Sequence, residues 1–337
     1  MLEDKFKKIK YLKHKIKLKD LIIYLVPLLI ILMVFVKVPY YIILGGGSID
    51  MNDKIKIEKE YKSNGSFGAL YVSEMRGNVF FYLLSYVVPS FDRVKISKVV
   101  YDNENTGDYD KREKIYFDNS TDMATLVAYQ KAGKNINIIN KKYKVMFISK
   151  NSKTDLKVGD KILKIDNNII NEYSDIENYI KEKKIGDSLS IEVLRDNKKI
   201  ITKSDLIDID GIPKLGIYIS NDYSYKLAPK MKLKFDKKQE GPSGGLITAL
   251  TIYNKLIKED ITKGKKILGT GTINEKGFVG PIGGVKEKLS GAAKEKADIV
   301  LVPKDNYDEA KKEKRNNNYK FKLISISTFD EALEKLK

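Results

Sequence analysis

The chain has no cysteine among its 337 residues. Disulfides, zinc–cysteine sites, iron–sulfur clusters and thiol nucleophiles are therefore excluded together. Histidine occurs once, as His14, inside a lysine cluster near the N-terminus. A Ser-His-Asp triad, an HExxH zinc site and a histidine general base are thus excluded from the body of the chain. Arginine is scarce as well: Arg76, Arg93, Arg112, Arg195 and Arg315 are the only five, so 58 of the 63 basic residues are lysine. Base readout and phosphate forks favour arginine. The net charge of +18 therefore reads as a lysine-loaded surface, and no nucleic-acid partner is expected. Such a surface suits anionic membrane or cell-envelope polymers. No G-x-x-x-x-G-K-[ST] phosphate loop occurs, and no metal or cofactor is expected. Hydrolytic chemistry, if present, must run on Ser, Thr, Lys, Asp, Glu or Tyr.

What is there begins with 42% hydrophobic and 32% charged residues, a globular mixture long enough for two or three units. Residues 1–20 hold eight lysines against three acids, and Leu21–Val36 is then sixteen residues without a charge. After Lys37, Val38–Leu44 is apolar again. As a helix, 21–44 spans about 36 Å against a hydrocarbon core of roughly 30 Å. Lys37 can snorkel, Tyr40 and Tyr41 suit the interfacial belt, and Pro27 is tolerated. No A-x-A-like cleavage site precedes Gly45-Gly46-Gly47, which reads as a break. The expectation is a single-pass anchor at 21–44, with the basic tail 1–20 in the cytoplasm and everything after about 45 outside.

Residues 45–142 carry no recognisable catalytic constellation. Gly68–Met75 and Val79–Val88 read as strands, or a strand and a short helix. Met123–Ala132 reads as a short helix with Thr121 or Asp122 as its cap. Residues 143–206 differ. An apolar strand, 143–148, precedes Leu156-Lys157-Val158-Gly159-Asp160-Lys161-Ile162-Leu163-Lys164-Ile165-Asp166, a turn at Gly159 leading into an alternating strand. A polar helix (Ser174–Lys183) and a hairpin, Ser188–Arg195 with Lys198–Lys203 across Asp196-Asn197, complete the block.

From about 207 the pattern is read as strand and helix in alternation. Glu240-Gly241-Pro242-Ser243-Gly244-Gly245 precedes an apolar helical stripe through Leu246, Ile247, Leu250 and Tyr253. A serine there meets the free amides and dipole of a helix start, which can hold an oxyanion, while the glycines admit a substrate backbone. An ordinary capping serine is the competing reading. Strand 267–273, the run Val279-Gly280-Pro281-Ile282-Gly283-Gly284, helix Val285–Lys296 and strand Ile299–Pro303 follow. Without histidine, a serine nucleophile needs another base, and a neutral lysine can serve. Such a lysine must lose about 3 pH units from its reference of about 10.4 through burial. Periodicity alone leaves Lys286 and Lys288 equal, since both flank the stripe of Val285, Leu289 and Ala292.

Two resemblances follow from these stretches. The L-K-V-G-D-x-I-L-x-I-D run resembles a PDZ domain, a module that binds extended peptide ends at a sheet edge, although its glycine-hydrophobic carboxylate loop is not evident before the first strand. E-G-P-S-G-G at 240–245, T-G-T-I at 270–273 and G-P-I-G-G-V-K-E-K at 280–288 resemble the proteolytic domain of the Lon family, over roughly 207–337. That resemblance implies an α/β (α+β) serine-peptidase domain with Ser243 as nucleophile, Lys288 as base and Thr270 orienting the lysine amine. Gly244 departs from the family, which usually has alanine. With the N-terminal anchor, the chain resembles membrane-anchored, PDZ-containing Lon-like proteases of bacteria. The implied activity is ATP-independent cleavage of exported peptides or unfolded segments outside the cell membrane, in a ring-shaped homo-oligomer. The reading from another class is a catalytically silent, membrane-anchored peptide-binding scaffold.

Overall fold

The computed structural model describes residues 18–88, 90–101, 104–236 and 239–337, and the chain divides into two units. The first comprises residues 1–44 and 73–99. Its helix, Leu18–Phe35, contains Pro27 and exposes nearly all its apolar side chains from Ile22 to Phe35. It stops at Phe35, so the helix expected through 44 is corrected: Lys37–Asp50 is a strand. Pro39 explains the stop, because its ring would strike the carbonyl four residues back, that of Phe35. Among the described residues no helix is long and apolar enough to cross a membrane. Tyr40–Ile43 pair antiparallel with Asp92–Lys95. Val79–Leu84 is a helix, capped by Asn78, whose Oδ1 accepts from Phe81 N at 3.0 Å.

The second unit, residues 45–72 and 100–337, is built on two large sheets. Seven antiparallel strands run in the order Ile217–Ala228, Asn135–Ile148, Lys161–Ile165, Ser188–Arg195, Lys198–Asp205, Lys153–Thr154, with Asn168–Ile169 beside Lys161–Ile165. The expected hairpin and turn are present, with Asp196 and Asn197 both at positive φ. The helix is Tyr173–Lys181. Strand Ile217–Ala228 pairs along Asn135–Ile148, so helix–strand alternation starts only at Gly245, later than the expected 207. The period-two pattern of 217–225 (Ile-Tyr-Ile-Ser-Asn-Asp-Tyr-Ser-Tyr) belongs to a strand with one solvated face.

The other sheet aligns Ser66–Ala69, Lys266–Gly269, Ile299–Pro303 and Lys322–Ile326 in parallel. Ile299–Pro303 is buried throughout, as a strand covered on both faces should be. Its side chains alternate between two cores. Ile299 and Leu301 join Ile247, Leu250 and Val127 on one face, whereas Val300 and Val302 join Val285, Leu289 and Ala292 on the other. The helices Gly245–Leu256 and Val285–Lys294 are thus held on opposite faces.

The helix expected at Met123–Ala132 is Thr106–Lys131, and Asn105 caps it through bonds from Gly107 N and Asp108 N. Thr121 lies inside the helix and donates to Phe117 O at 2.9 Å. The charged first half concealed this helix, because its few buried groups, Tyr109, Arg112 and Ile115, are spaced among charges. Gly45-Gly46-Gly47 is likewise no break but part of strand Lys37–Asp50.

Candidate active site

Ser243 ends the loop before helix Gly245–Leu256, and the cap position belongs to Gly244, so the capping-serine reading does not hold. The loop is tied at each residue. Gly241, at φ +79°, donates its amide to Glu113 O at 3.0 Å. Ser120 Oγ donates to Pro242 O at 2.8 Å. The carbonyl of Ser243 accepts from Gly271 N at 2.7 Å and from Thr270 Oγ1 at 3.1 Å. Leu246 N returns a bond to Gly271 O at 3.0 Å. The serine is thereby fixed between the long helix 106–131 and the end of strand Lys266–Gly269. Gly271, at φ +155°, breaks the strand expected over 267–273, and Thr272–Ile273 pairs instead with Val279–Gly280.

Lys288 lies in the first turns of helix Val285–Lys294, which starts from Gly284 at φ +69°. Its side chain is 3% exposed, and Nζ donates to Thr270 Oγ1 at 3.1 Å. Burial drives the amine down from 10.5 to about 7, while the charge of Glu287 works against that fall. Lys286 is exposed. The ambiguity that periodicity left is thus resolved by burial. Close backbone packing produces that burial. A Cβ on Gly291 would stand 2.7 Å from Gly46 C and Gly47 N, and one on Gly46 only 2.4 Å from Glu287 O. Glycine on both sides lets helix and strand meet and shuts water out.

The structure therefore brings Lys288, Thr270 and the backbone of Ser243 together, with Gly244 beside Ala69. A buried amine lowered to about 7 and a serine beside a helix start are parts that acyl transfer uses. Sequence reasoning missed Glu113 and Ser120, which hold the serine loop from a segment that carries no motif. A serine and a carbonyl give no signal in a single sequence. Among the described residues no group of three or more His, Asp or Glu side chains could hold a metal.

A concavity of about 600 Å³ lies between helix Tyr173–Lys181 and strand Ile217–Ala228, with Ile176, Ile180, Leu215, Gly216, Tyr218 and Ile219 among its walls. Strand Ile217–Ala228 is an edge of its sheet. Leu215-Gly216-Ile217, with Gly216 at φ +70°, is a glycine-hydrophobic run of the kind not evident before the first strand. It comes after the block, where the final strand begins.

Residues 237–336 match the Lon protease (S16) C-terminal proteolytic domain, and residues 127–204 match the PDZ domain. The chain is 34% identical over 153 residues to the Lon protease of Campylobacter jejuni, covering 43% of this chain and 17% of that protein. To the Lon protease of Clostridium beijerinckii it is 37% identical over 97 residues, 28% of this chain and 12% of that one. The chain thus spans less than a fifth of the length of these relatives. Among solved structures, the PDZ domain of the SdrC-like protein from Listeria monocytogenes is 28% identical, with a TM-score of 0.21, over 23% of this chain and 85% of that one. Residues 127–204 are thus similar to a PDZ domain and, after them, residues 237–336 to the proteolytic domain of Lon proteases.

Proposed function

We propose that the protein is an ATP-independent serine endopeptidase that works by a Ser243–Lys288 dyad on exported peptides or unfolded segments at a membrane. The observation that carries this reading is the burial of Lys288 beside Thr270, with its amine brought down to about 7. Burying a lysine this deeply is costly, and a scaffold that only binds peptide has no use for it. Ser243 Oγ attacks the scissile carbonyl carbon while the Lys288 amine takes the hydroxyl proton. Backbone amides near Ser243 hold the oxyanion. Collapse breaks the C–N bond, and the leaving amine receives the proton from Lys288. Water then attacks the ester with Lys288 again as base, releasing the acid and restoring Ser243.

The groove beside strand Ile217–Ala228 supports capture of extended peptide ends by strand addition. Membrane attachment is supported by the uncharged run Leu21–Val36 after a lysine-rich tail and by the exposed apolar side chains of helix Leu18–Phe35. In this reading the tail is cytoplasmic, the peptidase lies outside, and the chains assemble as a homo-oligomeric ring.

The test is the full chain in lipid nanodiscs with an unfolded polypeptide and no ATP, followed by mass spectrometry. Cleavage is expected from the wild type and from neither Ser243→Ala nor Lys288→Ala. Wild-type turnover by either variant, or no cleavage by an assembled wild type that still binds peptide, overturns the reading.

A further inference from the structure

The unit of residues 1–44 and 73–99 carries a second apolar surface. Helix Val79–Leu84 packs on helix Leu18–Phe35, and its first amide, Val79 N, donates to Val36 O at 2.9 Å. It therefore begins where the uncharged run of the first helix ends. Val79–Val88 is itself ten residues without a charge. Leu83 is 49%, Tyr86 62% and Val87 76% exposed.

The rim of this surface is polar and cationic. The Arg93 guanidinium lies 3.8 Å from the Tyr86 ring centroid and donates to Ser85 Oγ at 3.1 Å. The Tyr82 and Tyr86 hydroxyls are 3.0 Å apart, and the Tyr40 and Tyr82 rings meet at a tilt of 44° with centroids at 4.9 Å. Tyrosine with arginine is the chemistry of a bilayer interface, with apolar bodies below and polar tips above. In the same unit Lys37, Arg76, Lys95 and Lys98 are exposed, against Glu74 and Asp92. That balance complements anionic headgroups.

We infer that Val79–Val88 is a second membrane contact, which seats Leu83, Tyr86 and Val87 in the lipid surface at the level where helix Leu18–Phe35 ends. The inference rests on the proposed membrane attachment and adds to it. One helix leaves the unit free to pivot, whereas a second contact beside it fixes the unit's tilt on the bilayer.

The chain has no native cysteine, so single labels can be placed cleanly. Full-length Leu83→Cys, Val87→Cys, Ile30→Cys and Lys304→Cys proteins would carry an environment-sensitive fluorophore. They would be reconstituted into vesicles of phosphatidylcholine and phosphatidylglycerol, with and without brominated acyl chains. Blue-shifted emission that bromolipid quenches is expected at 83, 87 and 30, with water-like emission at 304. Quenching at 30 but water-like emission at 83 and 87 overturns the inference and leaves the attachment standing. A blue shift at 83 and 87 without quenching means protein covers the patch, from a partner or a second copy, and also overturns it. Absence of quenching at 30 defeats the membrane reading itself, and the inference with it.

Discussion

Lys288 Nζ donates to Thr270 Oγ1 across 3.1 Å, and the same hydroxyl donates to the Ser243 carbonyl, also at 3.1 Å. Thr270 is 0% exposed and Lys288 3%, so water cannot replace either bond. One side chain thus sets the position of the amine and of the serine backbone together. A hydroxyl suits this place because it accepts from one group and donates to the other.

Thr270→Val keeps the shape and removes both bonds. The lysine then loses its anchor, while Ser243 O retains only Gly271 N. A misplacement of about 1 Å can cost roughly 100-fold in rate, so kcat is expected to fall about 10- to 100-fold with KM little changed. Thr270→Ser keeps the hydroxyl and should recover most of the activity. Steady-state kinetics on a fluorogenic peptide measures both.

The value of about 7 for Lys288 sets the pH behaviour. Activity needs the neutral amine, so kcat/KM should rise tenfold per unit below about 7 and flatten above it. Lys288→Arg, always charged, should be inactive throughout.

Stability has its own signature at this lysine. Its amine falls from 10.5 unfolded to about 7 folded, so between these values the unfolded chain binds more protons and stability rises with pH. Below about 7 the full cost applies, on the order of 5 kcal/mol. Lys288→Met should therefore be more stable than wild type at pH 6, by up to that amount, with the gap closing towards pH 10. Denaturant titrations across that range measure it; a gap that does not change with pH would mean the lysine is charged inside.

Much of this site was legible in the sequence because its parts are local. Ser243 precedes an apolar helical stripe, and 280–288 carries the glycines and lysines that the proposed chemistry needs. The strand Ile299–Pro303 could be placed to the residue, since a continuous β-branched and leucine run suits a strand covered on both faces. What was not legible depends on partners far away in the chain. Lys288 and Lys286 are equivalent by period, and only burial in the fold, with Lys288 Nζ reaching Thr270, separates them. Helix Thr106–Lys131 hid half its length because Arg112 is buried on a paired carboxylate, Glu104, at 2.7 Å, a pairing no single-sequence pattern reports. The first helix looked longer than it is because hydropathy ignored Pro39.

The glycine contacts can be tested individually. Gly291→Ala would put a Cβ 2.7 Å from Gly46 C and Gly47 N, backbone atoms that cannot swing aside. A cost of about 1–3 kcal/mol is expected, with loss of activity as helix 285–294 and Lys288 are pushed outward. Gly244→Ala is the contrasting case. Its Cβ would meet Ala69 Cβ at 3.7 Å and φ is −91°, so an alanine fits. Stability should rise by about 0.4–1 kcal/mol through the unfolded state, with turnover within about twofold.

Ser120 separates support from catalysis. Its hydroxyl holds Pro242 O at 2.8 Å from a helix that touches no reacting atom, so it is a positioning residue for the serine loop. Ser120→Ala removes the bond and leaves Pro242 O with only the longer 3.3 Å bond from Gly245 N. A stability loss of about 1 kcal/mol is expected from the bond alone. If the bond also fixes Ser243, kcat should fall about tenfold while KM and the pH midpoint near 7 stay put, since Lys288 is untouched. Cysteine at 120, a weak donor of similar size, should restore part of the rate. A Ser120→Ala enzyme with lowered Tm but wild-type kcat at low temperature would mean the loop is held by Gly241 and Gly271 alone, and that Ser120 serves only the packing of helix 106–131.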